Sequence, residues 1–200
     1  MDSLFHFVMP ILAALAARLN IKHQIKTILA AAFFSVLIDI DHFIYLDQYR
    51  ALFHNIFITL IVPIALVCLS FHLKLDKYKK GFFLLLLIFM SGHLLVDLFS
   101  YPIYGSGIGI NSGDGIPLFY PLSNERYYID FSVTIPMAIP TNPQFVEGYI
   151  VSSLGFGLLL YLIMVIIPCL FLDDIIEISE RKHESFRKAT TDFFKKVMKD

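Results

Sequence analysis

Long apolar runs constrain this chain more than any other feature, because they occupy most of its length. A helix rises 1.5 Å per residue, so about 20 apolar residues cross the hydrocarbon core of a bilayer. The runs are apolar on nearly all sides, which is typical of membrane spans rather than of surface helices. There are five of them: Leu4–Leu19, Thr27–Leu46, Leu52–Phe71, Gly81–Ser100 and Tyr149–Leu172.

The composition agrees with lipid as the solvent. The 200 residues are 57% hydrophobic and only 16% charged, whereas a soluble domain is about 45–50% apolar and about a quarter charged. We therefore predict an all-α fold, a polytopic membrane bundle of about five apolar helices that forms one domain over residues 1–172. The net charge of -1 lacks the basic surplus that phosphate contacts need, so no nucleic-acid partner is expected.

The cations indicate how the spans are oriented. Of the 16 lysines and arginines, all but Arg50 and Arg126 fall in the loops 18–26 and 72–80 or in the tail after residue 172. Loops rich in lysine and arginine stay in the cytoplasm. The sequence therefore predicts a multi-pass protein of the cell membrane, with its N-terminus outside and its C-terminus in the cytoplasm.

Two segments lie outside the spans. Residues 101–148 form a long extracytoplasmic loop rich in glycine, proline and aromatic residues. Ordered loops of this length are usually functional, so we predict a lid, with a floppy linker as the alternative. The tail 173–200 is charged and amphipathic, which predicts a helix along the cytoplasmic membrane face.

Ionisable side chains in or beside spans are expensive and therefore functional candidates. On the predicted topology, a set of them lies at the outer ends of four spans: His6, Asp39, Asp41, His42, Arg50, His54, His93 and Asp97. An isolated His6 would more often be a satisfied interfacial residue, and an isolated Arg50 a headgroup anchor. Because all of these residues lie at the same predicted depth in the membrane, a functional site is favoured over unrelated polar residues with local structural roles.

The spacing within this set suits metal ligation. His93 and Asp97 are four residues apart and share a helix face, as do Asp39 and His42 at three. Asp41 joins them if the helix end frays. Imidazole and carboxylate together suit zinc, with iron or manganese as alternatives. We predict a centre of one to three divalent ions. A proton or ion relay is the competing interpretation, but it needs polar groups throughout the bilayer.

These residues resemble, over about residues 4–123, the YdjM-like family of membrane-bound metal-dependent hydrolases. His6 matches the family's N-terminal histidine, and Asp39-Ile40-Asp41-His42 its Asp-x-Asp-His. The family's Arg, four residues before a His, is matched by Arg50 and His54, and its His-x-x-x-Asp by His93 and Asp97. A Gly-hydrophobic-Pro-Leu…Pro stretch follows at 115–121. Tyr49 replaces the histidine that usually precedes the arginine, which puts one family ligand in doubt.

The resemblance implies a hydrolase distantly related to the zinc-dependent phospholipase C and single-strand nuclease superfamily. The expected substrate is a lipid or lipid-linked phosphoester at the outer membrane face, with membrane lipids as the surroundings. Asp39 or Asp41 would orient the attacking water, and Arg50 would hold a phosphate oxygen. A non-enzymatic metal-binding membrane protein and a small transporter are the alternatives. No oligomeric state follows from the sequence.

Overall fold

The computed structural model describes residues 3–17, 24–43, 52–99, 107–111, 115–131, 133–139 and 142–197. Helices dominate this part of the chain, as the all-α class predicts. The helices are α1 (Ser3–Ala16), α2 (Gln24–Val36), α3 (Val62–His72), α4 (Lys77–Leu98), α5 (Ser153–Leu170) and α6 (Leu172–Val197). A 3-10 segment, Leu37–Phe43, continues α2, and a π-helical turn, Phe57–Ile61, leads into α3.

Helix α4 is the centre of the bundle. It packs against α2, α3 and α5, while α1 packs against α2 and α5. Small side chains such as Ala14, Ala31 and Ala32 are fully buried where these helices meet, together with the larger Leu85 and Phe89. Small residues let helix backbones approach closely, which is how helices associate where lipid removes the hydrophobic driving force.

Two glycines set the contact between α4 and α5. A Cβ on Gly157 of α5 would lie 2.6 Å from the Cβ of Phe99. A Cβ on Gly92 of α4 would collide with the ring of Tyr161, which is 1% exposed. Both aromatic rings therefore occupy the space that a side chain would take, and both glycines are required for this packing.

Sharp turns close both ends of the α3–α4 connection. Leu75 N–H donates to Ser70 O (3.0 Å) and Lys74 N–H to Phe71 O (3.1 Å), the paired bonds of a Schellman motif. Lys74 takes the left-handed conformation (φ 51°) that this motif usually gives to glycine. Asp76 then caps α4 by accepting from Lys79 N–H (3.0 Å), which lowers the pKa of the Asp76 carboxyl.

The long connection between α4 and α5 contains strands, which the all-α prediction did not include. β1 (Gly107–Asn111) pairs antiparallel with β2 (Arg126–Asp130), and β3 (Val133–Ile139) pairs antiparallel with β4 (Asn142–Val151). Buried Ile116 bridges to Tyr127. The predicted loop thus has its own hydrogen-bonded structure in its described part, because extended backbone must pair its N–H and C=O groups.

Each predicted span contains a helix, but the lengths differ from the prediction. Among the described residues, Lys77–Leu98 alone is long and apolar enough to cross a membrane unaided, or two spans exist if α5 and the bent start of α6 count as one. Helices His6–Ala16 and Phe57–His72 are apolar but shorter. The five-span architecture therefore stays a prediction.

Candidate metal centre

Four segments of the chain bring their ionisable side chains to one point inside the bundle. His6 comes from α1, Asp39 and Asp41 from the 3-10 segment, His54 from the turn before the π-helical turn, and His93 and Asp97 from α4. All six are buried, with 0–3% of their surface exposed. Burial of this many ionisable groups is costly unless each is compensated, so the cluster needs a specific physical explanation.

The 3-10 segment and the turn at His54 orient the side chains of Asp39, Asp41 and His54 toward the cluster. In the tighter 3-10 helix, residues three apart eclipse and residues two apart diverge less than in an α-helix, so Asp39 and Asp41 both face inward. Asn55 holds the turn after His54, because its Oδ1 accepts from Phe57 N–H and Ile58 N–H, each at 3.1 Å. Asparagine is a preferred residue at the start of a helix, so Asn55 could have been predicted from the sequence as a residue that positions His54, but the sequence analysis did not include it.

Four ligand atoms form the heart of the cluster: His54 Nε2, His93 Nε2, Asp39 Oδ1 and Asp97 Oδ2, which all lie within 4.8 Å of one another. His54 Nε2 is 3.2 Å from Asp39 Oδ1 and 3.1 Å from Asp97 Oδ2. His93 Nε2 is 3.2 Å and 3.5 Å from the same two oxygens. Each nitrogen therefore contacts both oxygens.

These separations fit a bound ion. Zinc holds nitrogen and oxygen ligands at about 2.0–2.1 Å, which sets the edge of a regular tetrahedron at about 3.3 Å. The four measured edges of 3.1–3.5 Å lie on both sides of that length. Neither nitrogen of His93 and neither oxygen of Asp97 has a hydrogen-bond partner in the described structure. Their lone pairs converge on one point without bonding to each other, which is the pattern of a coordination site.

Asp41 contacts the other ring nitrogen of His54. Its Oδ2 lies 3.0 Å from His54 Nδ1 and accepts from Phe53 N–H at 3.2 Å. A carboxylate on Nδ1 keeps the proton there and leaves Nε2 free to ligate, as outer-shell carboxylates do for metal-binding histidines. The structure thus places Asp41, predicted as a ligand and as a catalytic residue, where it orients His54.

His6 lies beside the four-atom set and is not a member of it. Its ring stacks on His93 with centroids 3.8 Å apart and planes at 13°. Its Nε2 is 3.2 Å from Asp97 Oδ1. Asp97 therefore directs one oxygen toward His6 and the other toward His54 and His93. A carboxylate that divides its oxygens in this way is suited to bridge two ions, as the predicted range of one to three allows.

Two predicted site residues cannot be placed by this geometry. His42 belongs to the 3-10 segment, but its side chain lies outside the described residues, and Arg50 lies outside them entirely. Their assigned roles as ligand and phosphate-binding residue stay predictions. The remaining metal candidates, His6, Asp39, Asp41, His54, His93 and Asp97, are all brought together.

The buried His/Asp cluster between apolar helices makes this a helical protein that could bind a metal ion. Consistent with this class, the family model for the YdjM inner membrane protein matches residues 1–173, and the chain belongs to this family. Membership supports the predicted location in the cell membrane. Comparison with curated proteins gives no match, and comparison with solved structures gives none either.

Proposed function

We propose that this protein is a metal-dependent hydrolase of the cell membrane that acts on the phosphoester of a lipid or lipid-linked substrate. The observation that carries the proposal is the convergence of ligand atoms from His54, His93, Asp39 and Asp97. A divalent ion bound there would supply Lewis-acid chemistry and lower the pKa of a water molecule toward neutrality. Zinc fits the mixed nitrogen and oxygen ligands, and iron or manganese are alternatives.

Residues of the chain are proposed to accept the proton from water and to bind the phosphate. Asp41 contacts the His54 ring through Nδ1, so of the two predicted catalytic aspartates Asp39 is the one that belongs to the four-atom set. In hydrolysis the water oxygen bonds to phosphorus, the ester P–O bond breaks and the leaving oxygen takes up a proton. A carboxylate at this position is suited to receive the proton that water gives up. Arg50 remains the proposed group for binding a phosphate oxygen, on sequence grounds.

An apolar cleft beside the centre supports a lipid substrate. It has a volume of about 320 Å³ and is lined by Phe34, Leu37, Ile38, Ile40, Phe53, Ile58 and Met90. Ile38 and Ile40 flank Asp39 in sequence, and Phe53 precedes His54. Through these sequence neighbours the cleft adjoins the segments that carry Asp39 and His54. The proposed occupant is thus the acyl or prenyl chain of the substrate, with the phosphoester at the metal.

Part of the long connection lies next to the site, as a lid would. Leu118 O accepts from Ile56 N–H at 2.9 Å, two residues after His54. Gly115, in a positive-φ conformation (φ 100°), and buried Ile116 lead into this contact. Hydrolases commonly close loops over the site to exclude water from competing reactions. Residues 115–118 are therefore the proposed edge of the lid.

One observation favours the alternative of a non-enzymatic metal protein. The six described site residues are all at most 3% exposed, which is the environment of a closed structural site. A small transporter is less well supported, because α4 has no ionisable residue between Lys80 and His93. A transport pathway along the helix would need polar groups at those depths.

Elemental analysis followed by a phosphoesterase assay tests the proposal. Detergent-purified wild type should retain at least one equivalent of zinc, iron or manganese, and His93→Ala should lose it. His72→Ala, a histidine at the other end of α3, is the matched control and should keep the metal. The loaded wild type should then release phosphate or alcohol from lipid phosphoesters, and His93→Ala should not. Metal without turnover on any lipid phosphoester would replace the hydrolase with the non-enzymatic alternative, and absence of metal would refute both.

A further inference from the structure

A second site lies at the opposite end of the bundle from the metal centre. A cleft of about 450 Å³ opens between the C-terminal turn of α3 and helix α6, which contact each other. Its lining residues are His72, Leu73, Lys74, His183 and Arg187. Lys80 marks this end of α4, and His93 follows 13 residues later, so the two sites are about 20 Å apart along the helix.

The side chains that line this cleft are basic or apolar. Every ionisable residue of this cleft is a base, and no carboxylate lines it. The rings of His72 and His183 meet edge to face with centroids 6.3 Å apart. Four side chains that donate N–H bonds, and carry or can carry positive charge, therefore surround one space. A cleft of this kind complements an anion with several acceptor oxygens.

The nearby carboxylates do not neutralise this charge. Glu180 pairs with Lys80 Nζ at 2.6 Å, and Glu177 pairs with Arg181 one turn along α6. Glu184 lines the adjoining cavity of about 400 Å³, which shares Lys74 and His183 with the cleft, but Glu184 does not line the cleft itself. Within the described structure, Lys74 and Arg187 form no ion pair. They are the two permanent charges that remain for a ligand.

The backbone at Lys74 is a second, independent observation. This residue occupies the left-handed position of the Schellman motif, with φ 51°. Glycine is favoured there because a Cβ is strained in that conformation. Lysine at this position therefore costs backbone energy that glycine would not, and strained positions cluster at binding sites.

We propose that this cleft binds a phosphate-bearing anion, either the headgroup phosphate of an anionic lipid or free phosphate. On the predicted topology the cleft faces the cytoplasmic leaflet, where anionic lipids attract basic groups next to spans. Lys74 and Arg187 supply the charge, and the two histidines supply further donors. The proposal does not depend on the metal centre or on hydrolysis.

Two binding measurements with the detergent-purified protein separate the two sources. Calorimetric titration with inorganic phosphate reports a soluble anion. Native mass spectrometry with phosphatidic acid, compared with phosphatidylcholine, reports a lipid headgroup. The test variants are Lys74→Gly and Arg187→Gln. Lys188→Gln is the control, because it removes the same charge from the next position of α6 but does not line the cleft.

Binding of either probe by wild type, about tenfold weaker in both test variants and unchanged in Lys188→Gln, is the expected result. Phosphate at the metal centre would bind equally in all variants and so would not mimic it. Lys74→Gly should melt no lower than wild type, because glycine suits the turn, so its loss of binding cannot be attributed to misfolding. The proposal is overturned if neither probe binds, or if Lys188→Gln weakens binding as much as Lys74→Gly.

Discussion

The two ends of helix α4 handle charge in opposite ways. At its C-terminal end, His93 and Asp97 are buried at 1% exposure among other histidines and aspartates. At its N-terminal end, Lys77 and Lys80 each reach a carboxylate on α6, Asp173 and Glu180 respectively. At the N-terminal end each lysine has a single carboxylate partner, whereas at the C-terminal end two histidine nitrogens share the same two carboxylate oxygens around one point. This difference is the one expected if the C-terminal end binds the proposed metal ion.

The largest expected effect is loss of the metal. Removing it with a chelator should lower the free energy of unfolding of wild type by roughly 3 kcal/mol or more, because buried carboxylates lose their counter-charge. Thermal melts in detergent, with and without chelator, measure this. The His93→Ala variant should melt lower than wild type but no longer respond to chelator. Equal melting of treated and untreated wild type would remove the distinction between the two ends.

Asp41→Asn should have the next largest effect. Its loss of charge on His54 Nδ1 should weaken metal affinity by about 10–100-fold while leaving the stoichiometry unchanged at saturation. Competition with a metal-binding dye gives the affinity. Asp39→Asn is the comparison, since a lost ligand should lower the stoichiometry as well. If the two variants behave alike, Asp41 is a ligand rather than an orienting group.

At the other end of α4, loss of the ion pair that includes buried Lys80 should have a moderate effect on the free energy of unfolding. Lys80 is 7% exposed, with its ammonium 2.6 Å from Glu180 and 5.1 Å from the centre of the Phe71 ring. Glu180→Gln should cost about 1–2 kcal/mol of unfolding free energy, because the ammonium keeps only the ring and an amide. Chelator-treated thermal melts measure it apart from the metal, with Glu184→Gln as a control of equal charge.

The smallest effect should come from Lys77→Gln. Its Nζ lies 2.9 Å from Asp173 Oδ1, but the two side chains are 53% and 34% exposed. Solvent screens such a pair, so the change in unfolding free energy should stay below about 0.5 kcal/mol. The same melts apply. A loss as large as that of Glu180→Gln would mean that burial does not govern pairing at this end.

The sequence predicted the bundle and the members of the site better than their arrangement. The i, i+4 spacing of His93 and Asp97 follows from helix periodicity alone, and the structure brings both side chains into the cluster. The apolar runs indicated where helices lie but not how long they are. The position of Asp41 on the far nitrogen of His54 could not be predicted, because it depends on a 3-10 segment meeting a turn 13 residues later. Strands in the long connection were missed because glycine and proline there suggested irregular structure, whereas pairing partners as distant as Gly107 and Asp130 are set by the fold.

The collision between a side chain at position 92 and the ring of Tyr161 has a consequence for sequence variation. Gly92 directly precedes His93, so the space filled by the ring also fixes how closely α5 approaches the helix that carries two ligand atoms. A side chain at position 92 therefore requires a smaller residue at position 161. Among family members, a residue larger than glycine at 92 should occur where 161 holds a smaller side chain, and substitutions here should appear in pairs.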